Sequence, residues 1–371
     1  MKSTISTSLI LLLTVLNLFF LSCKDNTESD HYIIKGTITD YPEGKVLLAK
    51  FQDGAFLRID SVFMTKGKFK FKISKSVLPE LYHLFLDNDS MIIEFFSGRN
   101  DIVINAEYKS GTAEVIGSKV HNEYITFLEN TVVFENKQRS LYEQRKIALS
   151  NNDYFGLNVL DSIKQNVSNE HYEFIHKYVA ENNSSFVSVY ITANTLSDIL
   201  EIDELTALKN NFTDTLKNSR YFSDIESRIE LLKKSQVGMQ APDFSLADTS
   251  GEYISLSSLQ GRFVLLDFAA SWHEASIDRN QRLMRIHNKY KNKGFEIFQV
   301  FLERDVSEWK SFIAEKGINW ICVSDLKGLD CEALKIYGIK KIPYSFLLDN
   351  KGMIIQKDIN SEKLELFLEM L

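Results

Sequence analysis

The chain has 371 residues, 44% hydrophobic and 25% charged, with only four prolines. That make-up fits a globular protein of two or three cored domains and excludes a Pro-rich stalk or a low-complexity chain. A net charge of −7, with no basic block beyond short Lys clusters, excludes a phosphate-neutralising surface, so nucleic acid is not expected as a partner.

At the N-terminus Lys2 precedes an apolar run, Leu9 to Leu21, interrupted by Thr14 and Asn17. The run is shorter than the ~20 residues a spanning helix needs, and residues 1–22 read as a signal peptide. Phe20-Leu21-Ser22-Cys23 resembles the lipobox of bacterial lipoproteins. The resemblance implies an acylated Cys23 opening the mature chain, a polar tether over 23–30 and a membrane partner reached through the lipid anchor. Lys24, in place of the Asp that marks inner-membrane retention in that family, points to the outer membrane, with its periplasmic and outer faces both open. An ordinary signal peptide with an incidental cysteine is the other reading.

Residues 31–116 read as a β-rich domain. Lys68-Phe69-Lys70-Phe71-Lys72-Ile73 alternates strictly, which places Phe69, Phe71 and Ile73 on one face of a half-buried antiparallel strand and the lysines on the other. Further strands are expected at Tyr32 to Ile38, Lys45 to Phe51, Leu81 to Leu86, Met91 to Phe96 and Asp101 to Glu107, as a small sandwich or barrel. The stripe Lys66, Lys68, Lys70, Lys72 reads as a solvated strand face of the kind edge strands carry, rather than an anion site. Ile59-Asp60-Ser61-Val62 ahead of Gly67-Lys68-Phe69 resembles a domain of unknown function found before thioredoxin modules in bacterial lipoproteins; no chemistry comes with it.

Residues 117–235 change to helical period and read as a connector. Ser168 precedes Tyr172, Ile175 and Val179, and Ile225, Ile229 and Leu232 form another apolar stripe. His171 and His176 lie five apart, off the spacing that puts two ligands on one helical face, so no metal is expected there.

Residues 236–371 open with Val237-Gly238-Met239-Gln240-Ala241-Pro242-Asp243-Phe244. Leu259-Gln260-Gly261-Arg262 leads into a strand, Phe263 to Phe268, then Trp272, a helix striped by Leu283, Ile286 and Tyr290, a strand Phe295 to Phe301, and Ile342-Pro343 before a late strand. This combination resembles the extracytoplasmic thioredoxin-like family of peroxiredoxin-related and cytochrome-maturation-type thiol-disulfide oxidoreductases. The resemblance implies a mixed sheet with helices on both faces, a cis Ile342–Pro343 bond beside the active site where an extended peptide pairs, and Asp267 at the position of a buried proton-transfer acid. The whole chain is thus expected to be multidomain α+β: an antiparallel β-rich domain, a helical connector and a thioredoxin-like α/β domain.

The family's two cysteines, the first at a helix N-terminus and the second three residues on, fall on His273 and Ser276 of His273-Glu274-Ala275-Ser276. Imidazole cannot form a mixed disulfide and a hydroxyl cannot resolve one, so the dithiol cycle is excluded there. An acid–base site of His273 and Ser276 oriented by Glu274 or Asp267, a metal site using His273 and Glu274, and loss of the redox pair with the fold retained are the three readings. The third leads, and no metal or cofactor is expected.

Binding or scaffolding follows, with Trp272, Ile342 and Pro343 as the peptide edge. Cys322, in a strand Asn319 to Ser324, and Cys331, at a helix start, remain as a structural disulfide, a catalytic pair or two buried thiols. Of the two, Cys331 is expected to be the more reactive, because a helix N-terminus lowers a thiol's pKa. An unconventional oxidoreductase using them is the alternative function.

Overall fold

The computed structural model describes residues 30–371 apart from 42, 53, 75, 77, 87–89 and 99. The signal peptide, Cys23 and almost all of the 23–30 tether fall outside the described residues. Contacts divide the chain into two units, Met1–Phe127 and Leu128–Leu371.

In the first unit eight strands form one sheet. They are β1 (His31–Thr39), β2 (Glu43–Gln52), β3 (Ala55–Thr65), β4 (Lys68–Ser74), β5 (Leu81–Leu86), β6 (Ser90–Phe96), β7 (Ile102–Glu107) and β8 (Thr112–Ile116), in the order β6-β5-β2-β3-β4-β1-β7-β8. Pairing is antiparallel save for β1 beside β7, which makes this nearly closed sheet mixed. Phe69, Phe71 and Ile73 enter its core with Ile34, Val46, Leu84, Phe95 and Ile104, as the alternation requires. Gly36 of β1 admits the Phe69 ring and the Ile104 carbonyl, where a Cβ would collide with both. The lysine stripe is exposed, but β4 lies inside the strand order, between β3 and β1. Solvation of one sheet face explains those lysines, and edge protection does not. The turn-rich spacing did not resolve β3, whose residues are mostly exposed, or the short β8.

Five helices follow: α1 (Lys119–Ser150), α2 (Tyr154–Glu181), α3 (Phe186–Asn194), α4 (Ile202–Asn211) and α5 (Arg220–Lys233). α2 begins well before Ser168, because the Asp153 side chain caps it by accepting the Gly156 N–H at 2.8 Å. Ile175 and Val179 are on its buried stripe, and Ile225, Ile229 and Leu232 on that of α5. His171 stacks on Phe134 with ring centroids 4.9 Å apart, and burial lowers its pKa.

The rest of the second unit is a seven-stranded sheet of β9 (Ser245–Asp248), β10 (Tyr253–Ser255), β11 (Phe263–Ala269), β12 (Phe295–Phe301), β13 (Ile321–Ser324), β14 (Tyr344–Leu348) and β15 (Ile354–Lys357), in the order β10-β9-β13-β12-β11-β14-β15. β11, β12 and β13 run parallel, and β14 is antiparallel to β11. Both faces are covered, so the central strands are apolar nearly throughout. On one face pack α6 (Glu274–Tyr290), α7 (Val306–Lys316) and α9 (Ser361–Glu369), through Leu283, Ile286, Tyr290, Trp309, Leu364 and Leu368. On the other lie α8 (Glu332–Tyr337) and the segment around Leu256 and Leu259. The Ser235 hydroxyl after α5 donates to the Tyr337 carbonyl at 3.2 Å and ties the helical segment to α8.

Candidate functional site

β11 is buried along nearly its whole length and leaves the sheet through Ala269 and Ala270, both fully buried, so the chain turns without a side chain in its way. The Ser271 N–H donates to the Glu303 carboxylate at 2.6 Å, and the Trp272 indole N–H to the Leu302 carbonyl at 3.2 Å. Glu303 is itself buried just past the end of β12. The loop is thus pinned to the neighbouring strand, while Trp272 stays 57% exposed.

His273 is the N-cap of α6, yet its side chain makes no capping bond. Its Nδ1 lies 3.5 Å from the Ser276 hydroxyl, and Ser276 is completely buried. Proton transfer needs a shorter approach, and a nucleophile needs access to substrate. Glu274 points away from this pair and accepts from Arg145 Nη2 of α1 at 3.0 Å, while Arg145 Nε reaches Asp161 of α2 at 3.1 Å. Ala275 is exposed. Among the described residues no three His, Cys, Asp or Glu are grouped as metal ligands.

Asp267 lies beneath α6 with no exposure to solvent. Its Oδ1 is 2.8 Å from Arg279 Nε, and its Oδ2 accepts from Gln299 Nε2 at 2.8 Å. Arg279 Nη2 donates to the Ser345 hydroxyl at 2.7 Å and to the Ile359 carbonyl at 3.1 Å. Gln299 also donates to Asn280 at 2.6 Å and accepts the Trp320 indole N–H at 2.9 Å. Register produces this cluster, since Asp267 faces Gln299 across β12 and Ser345 across β14. Burial raises the Asp267 pKa above the ordinary carboxylate range, and the Arg279 guanidinium offsets part of that rise. No hydrogen bond joins Asp267 to His273 among the described residues. The acid that would serve a thiol is bound to a cation instead.

Ile342–Pro343 is cis. Tyr344 pairs with Phe268, so Pro343 falls at the end of the sheet where Ala269 and Ala270 lead to Trp272 and His273. Ile342 and Pro343 are both partly exposed.

The two remaining thiols do not fit the reactive readings. Cys322 and Cys331 are free and buried. Along β13, Cys322 faces the core that holds Leu283 and Trp309, whereas Cys331 belongs to the core that holds Leu334 and Tyr337, on the other side of the sheet. A disulfide or catalytic pair would have to pass through β-structure. Burial pushes the Cys322 thiol's pKa up. Cys331 does start α8, and the Ala333 and Leu334 N–H groups favour its thiolate, but burial and the Asp325 carboxylate outweigh them and push its pKa up to about 11. Both thiols are thus shielded and disfavoured as thiolates, Cys331 less strongly than Cys322.

Arg279, Gln299, Glu303 and Arg145 were not singled out from sequence, although two of them carried a signal. Arg279 precedes Leu283 by one helical turn on the buried stripe, and Gln299 interrupts an apolar strand. Polar groups in such places need buried partners.

The strand order and the helices on both faces define a thioredoxin-like α/β domain. Residues 237–357 match the AhpC/TSA family, and residues 32–124 match a domain of unknown function (DUF4369). The thiol-disulfide oxidoreductase ResA of Bacillus thuringiensis (strain Al Hakam) is 30% identical over 133 residues, covering 36% of this chain and 75% of that protein. The thioredoxin-like protein YneN of Bacillus subtilis (strain 168) is 31% identical over 121 residues, covering 32% and 69%. A solved thiol-disulfide oxidoreductase from Bacteroides fragilis NCTC 9343 shares 33% identity over 37% of this chain and 100% of its own, with a TM-score of 0.33. Through its C-terminal domain the chain belongs to the ResA-like thiol-disulfide oxidoreductase family.

Proposed function

We propose that this family member has exchanged thiol chemistry for binding, and that it works as a cell-envelope lipoprotein holding an extended peptide or protein segment between Trp272 and the Ile342–Pro343 edge. One observation carries the reading. His273 and Ser276 occupy the helix start where a dithiol would act, and the two thiols that remain sit in opposite cores. The Trp272 indole N–H is already bonded, so its exposed ring is held as a fixed plate, and a preorganised aromatic surface loses little freedom on binding. Lipidation at Cys23 and an outer-membrane location, facing the periplasm or the exterior, complete the proposal on the strength of the Leu21-Ser22-Cys23 motif.

An insulin-reduction assay with dithiothreitol separates binding from redox turnover. The purified protein is expected to match the uncatalysed rate, and turnover that disappears in Cys331→Ser would overturn the binding reading. Labelled palmitate should be incorporated by the wild type and not by Cys23→Ala; label that persists in the variant refutes the anchor.

A further inference from the structure

A crevice separates the helical segment from the thioredoxin-like domain, next to the cis-proline loop. Arg228 of α5 lines it, together with Lys340 and Lys341 from the loop after α8, Lys357 of β15, and Asp198 and Glu201 ahead of α4. Lys340 pairs with Asp198 at 3.5 Å, Lys357 with Glu201 at 2.8 Å, and Lys341 with Asp358 at 3.8 Å. Each lysine therefore has a carboxylate.

Arg228 has none. Among the described residues no carboxylate lies within 4.0 Å of it, its Nε donates to the neutral Ser197 carbonyl at 2.9 Å, and its Nη1 is buried without a hydrogen-bond partner. Gly338, which also lines the crevice, gives that guanidinium its room, because a Cβ there would come within 2.8 Å of Nη1. A shielded guanidinium is costly to leave without an anion, and burial does lower its pKa against the pull of Asp198 and Glu201.

We propose that this crevice is a carboxylate-binding pocket, with Arg228 as the principal donor and Lys341 at its rim, and that it reads an acidic side chain of the segment bound along Ile342–Pro343. Three features select the ligand class. The guanidinium fork matches a planar carboxylate. The cavity is about 50 Å³, room for about three to five water-sized groups at ~10–15 Å³ each, and so accommodates a three-atom carboxylate with ease. Asp198 and Glu201 beside it also disfavour a doubly charged anion. Because Lys341, Tyr344 and the proline loop are continuous in sequence, a peptide on that loop can place a side chain in the crevice without leaving the sheet edge.

The peptide part of this inference rests on the binding function proposed above, and the test keeps the two separable. Fluorescein-labelled hexapeptide amides carrying one Glu, and their Gln counterparts, would be titrated by fluorescence anisotropy against the wild type, Arg228→Gln, Lys341→Gln and Trp272→Ala. The Glu peptide should bind at least about tenfold tighter than the Gln peptide, the scale of one charge-assisted hydrogen bond. That preference should vanish in Arg228→Gln and shrink in Lys341→Gln, while Trp272→Ala weakens both peptides alike. Equal binding of the Glu and Gln peptides to the wild type overturns the pocket and leaves the peptide edge standing. If no peptide binds, the peptide edge fails, and acetate titrated against chloride at constant ionic strength decides the pocket. Heat of binding that is lost in the two pocket variants upholds it, and its absence from the wild type overturns it. Lys341 is exposed, so its variant remains informative even if Arg228→Gln fails to fold.

Discussion

Replacing Arg279 by Leu tests whether Asp267 is held as one half of a buried ion pair. The substitution removes the 2.8 Å contact to Asp267 and the bonds to Ser345 and Ile359, and it leaves Asp267 in a site without solvent, supported by Gln299. Removing one partner of such a pair costs about 3–5 kcal/mol, and for a domain of this size that is roughly 10–20 °C in Tm. The loss should depend on pH. The Asp267 pKa is already raised by burial, and without the cation it rises further. A carboxyl whose folded pKa exceeds its unfolded value of about 3.9 contributes stability that is complete below that value and is lost as pH rises through the folded pKa. The deficit of Arg279→Leu is therefore smaller near pH 5 than at pH 8, where the stranded carboxylate is charged. Adding Asp267→Asn should restore about 2 kcal/mol at pH 8 and remove the pH dependence. Urea unfolding followed by tryptophan fluorescence reads this domain alone, because all three tryptophans, Trp272, Trp309 and Trp320, lie in it. A cost below about 1 kcal/mol at pH 8, or the same cost at both pH values, would refute the ion-pair account.

Native protein should leave Cys322 and Cys331 unreactive toward a chromogenic disulfide reagent, and denaturation without reductant should release both; a denatured, unreduced chain with no free thiol would show a disulfide after all. His273→Cys with Ser276→Cys should oxidise to an internal disulfide in a glutathione buffer, and adding Arg279→Leu should speed its exchange with substrate by freeing Asp267 as a proton acceptor. An unchanged rate would mean that Asp267 plays no such part. Arg145→Ala breaks exposed pairs with Glu274 and Asp161 and should cost under about 1 kcal/mol. A larger loss would make Arg145 a structural clamp.

Periodicity and resemblance between them made most of the architecture legible. Phe69, Phe71 and Ile73 announced their strand by alternation, and Leu283, Ile286 and Tyr290 announced the buried side of α6. β3 escaped because most of its residues face solvent and show no burial rhythm, and the first turns of α2 went unmarked because the stripe read from sequence starts only at Tyr172, whereas Asp153 caps the helix. At the site, the loss of the dithiol was plain from His273 and Ser276. The state of the acid beneath it was not. That depends on which residue of α6 lies over Asp267 once β11, β12 and β14 are in register, and pairing across distant strands is invisible to any local window. The cysteines show the same limit: two free, buried thiols were among the readings and helix position marked Cys331 as the more reactive, but how far burial raises each thiol is set only by the assembled fold.

The arrangement of β14 bears on how the domain comes into being. Val264 of β11 pairs with Leu348, and α9, whose Leu364 and Leu368 fill one face of the core, follows β14 and β15 in the sequence. β11 therefore lacks its second neighbour during synthesis until the chain beyond Leu348 has emerged, some eighty residues later, and contacts between such distant segments form slowly. A nascent chain held open in this way stays threadable for longer, with its apolar strands exposed to chaperones or to neighbouring copies. Ending the chain before Tyr344, which removes β14, should consequently abolish folding of the domain, whereas substitutions at the former redox loop leave assembly almost untouched.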